Sequence, residues 1–144
     1  MWQNFKFLFM ILEIFTLCDH AQQDAQGKLT IVGTFDAINH AGNFPLIYPH
    51  CAVALRMRFA DSESGNHAGY IAFKKADRSE ILVKVDFSFT VLNTSATGYT
   101  SINMPFNMGN FRFPEDGKYV IELYLDSEWQ SGLTVAVNRV RAAA

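Results

Sequence analysis

Several features that would point to a specialised protein are scarce or missing. There are two cysteines, Cys18 and Cys51, too few for a disulfide framework and without the paired spacing of a zinc site. A single bridge and two free thiols in a reducing compartment both stay open on that count. Neither sign of charge dominates: 12 basic against 14 acidic residues give a net charge of −2, with no run of one sign. That removes the electrostatic footprint expected of a nucleic-acid binder. No uninterrupted apolar stretch reaches the roughly 20 residues of a membrane-spanning helix. No segment repeats apolar residues at i, i+3, i+4 and i+7 over three turns, so no helix longer than a loop turn is expected. Gly-x-Ser-x-Gly, a phosphate-binding glycine loop and a dinucleotide fingerprint are all absent.

What is present points to a folded β protein. Hydrophobic residues make up 49% of the 144 and charged residues 18%, a balance that supports one core and one domain over residues 1–144. The 13 phenylalanines, with many Val, Ile and Tyr, bias the chain toward extended structure.

The first segment admits two readings. Lys6 precedes the apolar run Phe7 to Cys18 and Ala21 follows it, which has the outline of a signal peptide over residues 1–21 and would make the chain secreted. Glu13 interrupts the run, however, and Asp19, His20, Gln22 and Gln23 surround Ala21 where small residues would be needed. A buried first strand fits better, with a cytoplasmic chain, residues 1–9 as an N-terminal extension and 141–144 as a tail. Asn93-Thr-Ser95 would be a glycosylation acceptor only in a secreted eukaryotic chain.

Beyond Gly27 the pattern is one of period two. Lys28 to Ile38 should pair back on the first strand as a hairpin, with a bulge at Gly33. Asn39 to Pro49, with two prolines and a glycine, reads as a long connecting loop. Val53, Leu55, Met57 and Phe59 then alternate with Ala52, Ala54, Arg56 and Arg58, one face for the core and one for solvent. The plainest signal is Ile81, Val83, Val85, Phe87, Phe89 and Val91, and Ile102, Met104, Phe106 and Met108 repeat it with Pro105 among their alternates, as on an edge strand. Tyr119 to Leu125 and Leu133 to Val137 supply the last strands. Turn signals at about 8–12 residue spacing indicate a two-sheet antiparallel β-sandwich of about eight strands with Greek-key-like connections.

Candidate sites are sparse. Asp19, His20, Asp36, His40 and His50 gather at strand ends or in the 39–49 connection. Asp19 and Asp36 each follow their own strand, so hairpin pairing would put them at opposite ends, which weakens a shared acid–base or metal site. No tight ligand spacing occurs, and neither a metal nor a cofactor is expected. Acidic residues in the loops, such as Asp61, Glu63, Glu115, Asp116, Asp126 and Glu128, are too scattered for a calcium site. His50 adjoins Cys51, but neighbours on a strand point to opposite faces. For binding, Trp129 in a turn, Tyr99 after Gly98 and Tyr48 in the 39–49 loop are the aromatic candidates.

A set of residues resembles a family of small bacterial all-β proteins of unknown function: Leu17-Cys18-Asp19, Gly27-Lys28-Leu29, Ile31, Gly33, Phe35-Asp36-Ala-Ile38, Phe44-Pro45, Pro49, Leu55 to Phe59, Gly65-Asn-His67, Gly117-Lys-Tyr119 and Leu125-Asp126. The resemblance implies a β-sandwich in the cytoplasm and brings no activity or catalytic residue with it. The leading expectation is a noncatalytic binding or protein-interaction module, in its simplest form a homo-oligomer, with the Pro105 strand and the first strand as candidate edges. Its binding residues would come from Asp19, His20, Asp36, His50, Tyr48 and Trp129. The alternatives are a metal-dependent or hydrolytic enzyme using Asp19, His20, Asp36 and His50, and a carbohydrate-binding module using the exposed aromatics. An unknown protein or the chain itself is the expected partner; nucleic acid and membrane are not.

Overall fold

Period-two patterning is what the backbone follows. In a computed structural model, which describes residues 10–92 and 96–141, nine strands form: β1 (Ile11–Gln23), β2 (Leu29–Thr34), β3 (Ala37–His40), β4 (Leu46–Ala60), β5 (Gly65–Lys75), β6 (Ile81–Val91), β7 (Tyr99–Phe113), β8 (Gly117–Leu125) and β9 (Glu128–Arg139). A 3-10 turn at Asp61–Glu63 is the only helical element among the described residues. The N-terminal extension 1–9, the triplet Asn93-Thr-Ser95 and residues 142–144 of the tail lie outside the described residues.

The strands make two packed sheets, one in the order β2-β1-β4-β7 and the other β3-β9-β8-β5-β6. Spatial neighbours such as β4 and β7, or β5 and β8, are not consecutive in the chain, as in Greek-key sandwiches. The core lies between the sheets. Val53, Leu55, Met57 and Phe59 of β4 face Ile71 and Phe73 of β5, Ile121 and Leu123 of β8, and Val135 and Val137 of β9, all buried. Each such large side chain contributes about 1.5–3 kcal/mol by leaving water. Toward the β6 and β7 margin the packing thins. Val83, Phe87 and Phe89 of β6 and Ile102, Met104, Phe106 and Met108 of β7 pack on the core but are only partly buried.

Several sequence expectations are corrected. The strands number nine, where about eight were expected, because the stretch read as one strand over 28–38 divides between the sheets. Phe35 N donates to Leu17 O at 3.1 Å, in the four-stranded sheet, and Asp36 O accepts from Ala136 N at 2.8 Å, in the five-stranded one. The chain crosses over between these two residues, and β3 then runs parallel to β9. The 39–49 stretch is consequently no long loop: it contains the end of β3 and the start of β4, placing Tyr48 and His50 on a strand. The first strand is an edge over only part of its length: Ile11–Leu17 pair with β4 alone, while Cys18–Gln23 are covered by β2.

The outer face of β4 is also not open to solvent as its Ala/Arg alternation suggested. Pairing of β1 with β4 ends at Cys18–Ala52. The second half of β1 then crosses toward β7, where the Asn107 side chain accepts from Ala21 N at 3.3 Å and donates to Ala21 O at 2.7 Å. At the hairpin tip, Asn103 Nδ2 of β7 donates to Gly27 O at 2.8 Å. The β1–β2 hairpin is thereby laid over the sheet. Ala52 and Ala54 are 0% exposed beneath it, packed with Cys18 and Ala21 under Ile14, Leu29 and Ile31. Small side chains at 52 and 54 let two backbones approach. Glu13, the charge that interrupts the first apolar run, pairs with Arg56 and Arg58, each at 2.9 Å.

This layer generates a test. If Ala54 lay on a solvent face, a bulkier apolar residue would change stability little. Beneath the hairpin, Ala54→Leu overpacks and is expected to cost about 1–3 kcal/mol, read as a lower urea midpoint. An unchanged midpoint would contradict the covered face.

Candidate functional site

The residues singled out in sequence fall in three places. On β1 and β4, His20 and His50 do come together, with ring centroids 5.7 Å apart. One nitrogen of each meets an amide oxygen: His20 Nε2 lies 3.2 Å from Gln22 Oε1, and His50 Nε2 3.2 Å from Asn107 Oδ1. The Asn107 amide that receives His50 is the one that anchors Ala21. The histidine pair therefore braces the folded-over hairpin.

Neither aspartate joins the pair. Asp19 faces Gly33 on β2, whose φ of +66° and missing β-carbon make room for its carboxylate. Asp36 lines a cleft of about 460 Å³ between the sheets, with Thr16, Leu17, Thr34 and Val135. Its carboxylate has no hydrogen-bond or ion-pair partner among the described residues. Among those residues, no group of three or more His, Cys, Asp or Glu side chains is placed to hold a metal ion.

Cys18 and Cys51 are free and buried. Cys18 packs in the cluster under the hairpin and Cys51 in the core between the sheets, so they occupy opposite faces of one sheet and cannot bridge. Burial, with the neighbouring Cys18 and Asp19, pushes the Cys51 thiol up to about 11, leaving it protonated and a poor nucleophile. His50 is exposed while Cys51 faces inward, diverging as their adjacency on a strand requires.

The three aromatics do not form one platform. Tyr48 is half-buried, its ring 5.8 Å from Phe35 and 6.5 Å, edge-on, from Phe113. Burial, then the nearby Asp19, raises its pKa. Tyr99 opens β7 beneath the Arg58 guanidinium, 4.2 Å from its ring centroid. Trp129 stands at the start of β9 and not in a turn; it is 55% exposed and donates through Nε1 to Glu122 Oε2 at 2.9 Å.

Two features escaped the sequence reading. One is His67 on β5. Its Nδ1 lies 2.6 Å from Asp126 Oδ2, and its Nε2 lies 2.7 Å from Glu63 O. The ring stacks against both Phe59 and Phe89, at 5.0 and 5.6 Å, the two phenylalanines themselves being 5.4 Å apart. Both partners are acceptors, so the arrangement favours the doubly protonated imidazolium. Burial alone would lower its pKa, but the hydrogen bond to Asp126, then that to Glu63, hold it above the ordinary value. The two contacts tie the 3-10 turn to the β8–β9 turn. Gly65-Asn-His67 and Leu125-Asp126 were both among the residues that carry the family resemblance, but their separation of 59 positions conceals the contact.

The other feature is the edge of β6. Ala68 N donates to Asp126 Oδ1 and Ala68 O accepts from Asp126 N at 2.8 Å, so the backbone groups of Ala68 face the β8 side. Those of Gly69 therefore face β6, where Gly69 is paired with Phe87. Along β6 it follows that Val83, Val85, Phe87 and Phe89 bond to β5, while Lys84, Asp86, Ser88 and Thr90 turn their N–H and C=O outward. The register is regular from Val83 to Val91, with the extra residue Leu82 bulged at one end. An open groove of about 620 Å³, lined by Asn66, His67, Ser88, Phe89, Thr90 and Asp126, adjoins the other end.

The model of a family of unknown function (DUF6941) matches residues 13–138. The chain belongs to that family. The DUF6941 match spans the histidine pair, the His67 staple and the whole of β6. No curated protein matches. Among solved structures, a β-glucosidase from Listeria innocua in complex with glucose overlaps with a TM-score of 0.48 at 9% identity, over 92% of this chain and 16% of that one. The isofagomine complex of the Listeria innocua enzyme gives 0.49, again at 9% identity over 92% of this chain and 16% of that one. An immunoglobulin-like protein from Pseudomonas aeruginosa gives a TM-score of 0.33 at 7% identity, over 90% of this chain and 96% of that one. The chain spans about a sixth of the β-glucosidase, and similarity at this level says nothing of what a DUF6941 chain binds.

The His67 staple has a pH signature. Its folded pKa is raised above 6.5, so its stabilisation is fully present below that value and is lost as pH rises through the higher folded pKa. Unfolding free energies of wild type and His67→Gln from urea titrations should differ by about 1 kcal/mol near pH 5.5 and converge as pH climbs past the raised pKa. A difference constant across that range would contradict the imidazolium.

Proposed function

We propose that the chain is a noncatalytic protein-interaction module that receives an extended polypeptide strand along the open edge of β6. One observation carries this reading: β6 offers the outward backbone groups of Lys84, Asp86, Ser88 and Thr90 on a regular stretch with no proline, glycine or bulge from Val83 to Val91. Unpaired edges template further strands, and most proteins interrupt them. The other margins of this sandwich are interrupted or short, including Ile11–Leu17 of β1, unpaired on the β2 side with a register shift between Leu12 and Ile14, and Glu128–Val135 of β9, unpaired beyond β3 with the extra residue Gln130 and with Gly132. β2 has six residues and a left-handed Gly33, β3 has four, and β7 is broken by Pro105 and by Asn110 at φ 50°. Beside β6, half-buried Phe87, Phe89, Phe106 and Met108 line the thin margin of the core, apolar surface that an added strand would cover.

The enzymatic alternative finds less support. His20 and His50 each have Nε2 against an amide oxygen, both nitrogens of His67 are bonded to oxygens, and Asp36 lies in a separate cleft. The carbohydrate alternative has the open Trp129 ring in its favour but neither Tyr48 nor Tyr99 beside it. Cytoplasmic residence belongs to the proposal, and two thiols that cannot reach each other suit a reducing compartment.

Ser88→Pro is the test. Position 88 lies opposite Ala68 with its N–H directed away from β5, so proline there removes a donor that nothing in the fold uses. The variant is expected to fold with the wild-type circular dichroism spectrum. Proteins, or differently tagged copies of the chain, that copurify with wild type from its source should be lost with Ser88→Pro and retained with His20→Ala/His50→Ala. The reverse pattern would overturn the edge reading.

A further inference from the structure

We infer that the strand received by β6 is the β6 of a second copy, paired antiparallel about a two-fold axis through Phe87. This deepens the edge reading and rests on it. The regular stretch Val83–Val91 has Phe87 at its centre. In that register Lys84 faces Thr90 of the other copy and Asp86 faces Ser88, so all four outward residues are matched by one another. No like charges are opposed; each ion meets a hydroxyl, and hydroxyl groups can donate to a carboxylate or accept from an ammonium. On the core side Val83 meets Val91, Val85 meets Phe89 and Phe87 meets Phe87.

Competing registers do worse. Centring on Asp86 sets two aspartates directly opposite, which is destabilising. Centring on Val85 sets Lys84 opposite Asp86, two ion pairs by symmetry, but Ser88 then falls opposite the bulged Leu82 and the regular ladder shrinks to Val83–Phe87. Two hydrogen bonds form at each bonded pair of an antiparallel ladder, so the Phe87-centred register makes about eight where the Val85-centred one makes about four. An exposed ion pair contributes no more than one such bond, and two do not offset the four that are lost.

The apolar margin fits the same partner. Phe87 is partly buried, with its ring 5.5 Å from Phe106 of β7 and 6.1 Å from Phe89. Placing the second copy's Phe87 across the axis, at the close spacing of a non-hydrogen-bonded pair, covers this cluster with its own counterpart. The two five-stranded sheets become one continuous sheet, a closed isologous contact that does not propagate into fibres.

The test places one new carboxylate at either of two exposed positions, two residues apart. Ser88→Asp sets the new carboxylate opposite Asp86 of the other copy, twice per dimer. Thr90→Asp sets an acid opposite Lys84. Light scattering after size exclusion, over a hundredfold concentration range, should show wild type as a dimer, Ser88→Asp weakened at least tenfold or monomeric, and Thr90→Asp as tight as wild type or tighter. Thermal melts verify that each variant is folded. A wild type monomeric throughout, or variants that shift together or not at all, would overturn the inference. A monomeric wild type whose captured partner is still lost with Ser88→Pro would overturn the second copy alone and leave the edge reading standing; capture insensitive to Ser88→Pro, with a monomeric wild type, would remove both.

Discussion

Strands at the margin of a sheet carry N–H and C=O groups that their own sheet cannot satisfy, and a two-sheet sandwich has four such margins. How those groups are disposed of shapes much of this molecule. At β3 the edge is four residues long, at β2 it ends in a left-handed glycine, at β7 proline and a left-handed asparagine break it, and the unpaired stretches Ile11–Leu17 of β1 and Glu128–Val135 of β9 each carry an irregularity. At β6 it runs uninterrupted. A regular edge beside margins that are short or broken is what a strand-addition surface requires, because the same groups that invite aggregation supply affinity when the partner is specified.

The remaining polar features serve the fold that holds that edge in place. Glu13 neutralises Arg56 and Arg58 where the hairpin meets the sheet, and Asn107 and Asn103 fasten the hairpin to β7. His67, stacked against Phe89 of β6, links the start of β5 to the β8–β9 turn and the 3-10 turn through Asp126 and Glu63. These contacts join segments distant in sequence, and their loss would loosen layers more than it would remove a chemical function.

Alternation made much of the fold legible. The series from Ile81 to Val91 and from Val53 to Phe59 became β6 and β4 as read, and Pro105 marked β7 as an edge. What sequence could not show were events that depend on a third element. Ala52 and Ala54 look like an ordinary solvent face until the hairpin covers them. The division of residues 28–38 between two sheets turns on hydrogen bonds to Leu17 and Ala136, and β3 is too short to carry a pattern. The proposed site was harder still. The apolar half of β6 was plain, but which half of its backbone is unpaired follows from where Ala68 sends its own hydrogen bonds. The His67–Asp126 contact lay hidden for the same reason, its two halves 59 positions apart.

The central claim concerns the backbone of one strand, and residue-resolved amide exchange reads that backbone directly. In dilute solution the amides of Val85, Phe87 and Phe89, bonded to β5, should exchange slowly, and those of Lys84, Asp86, Ser88 and Thr90 rapidly. As concentration rises the second set should become protected while the first stays unchanged. Protection of Lys84, Asp86, Ser88 and Thr90 already at dilution, or rapid exchange of all four at every concentration, would contradict the account.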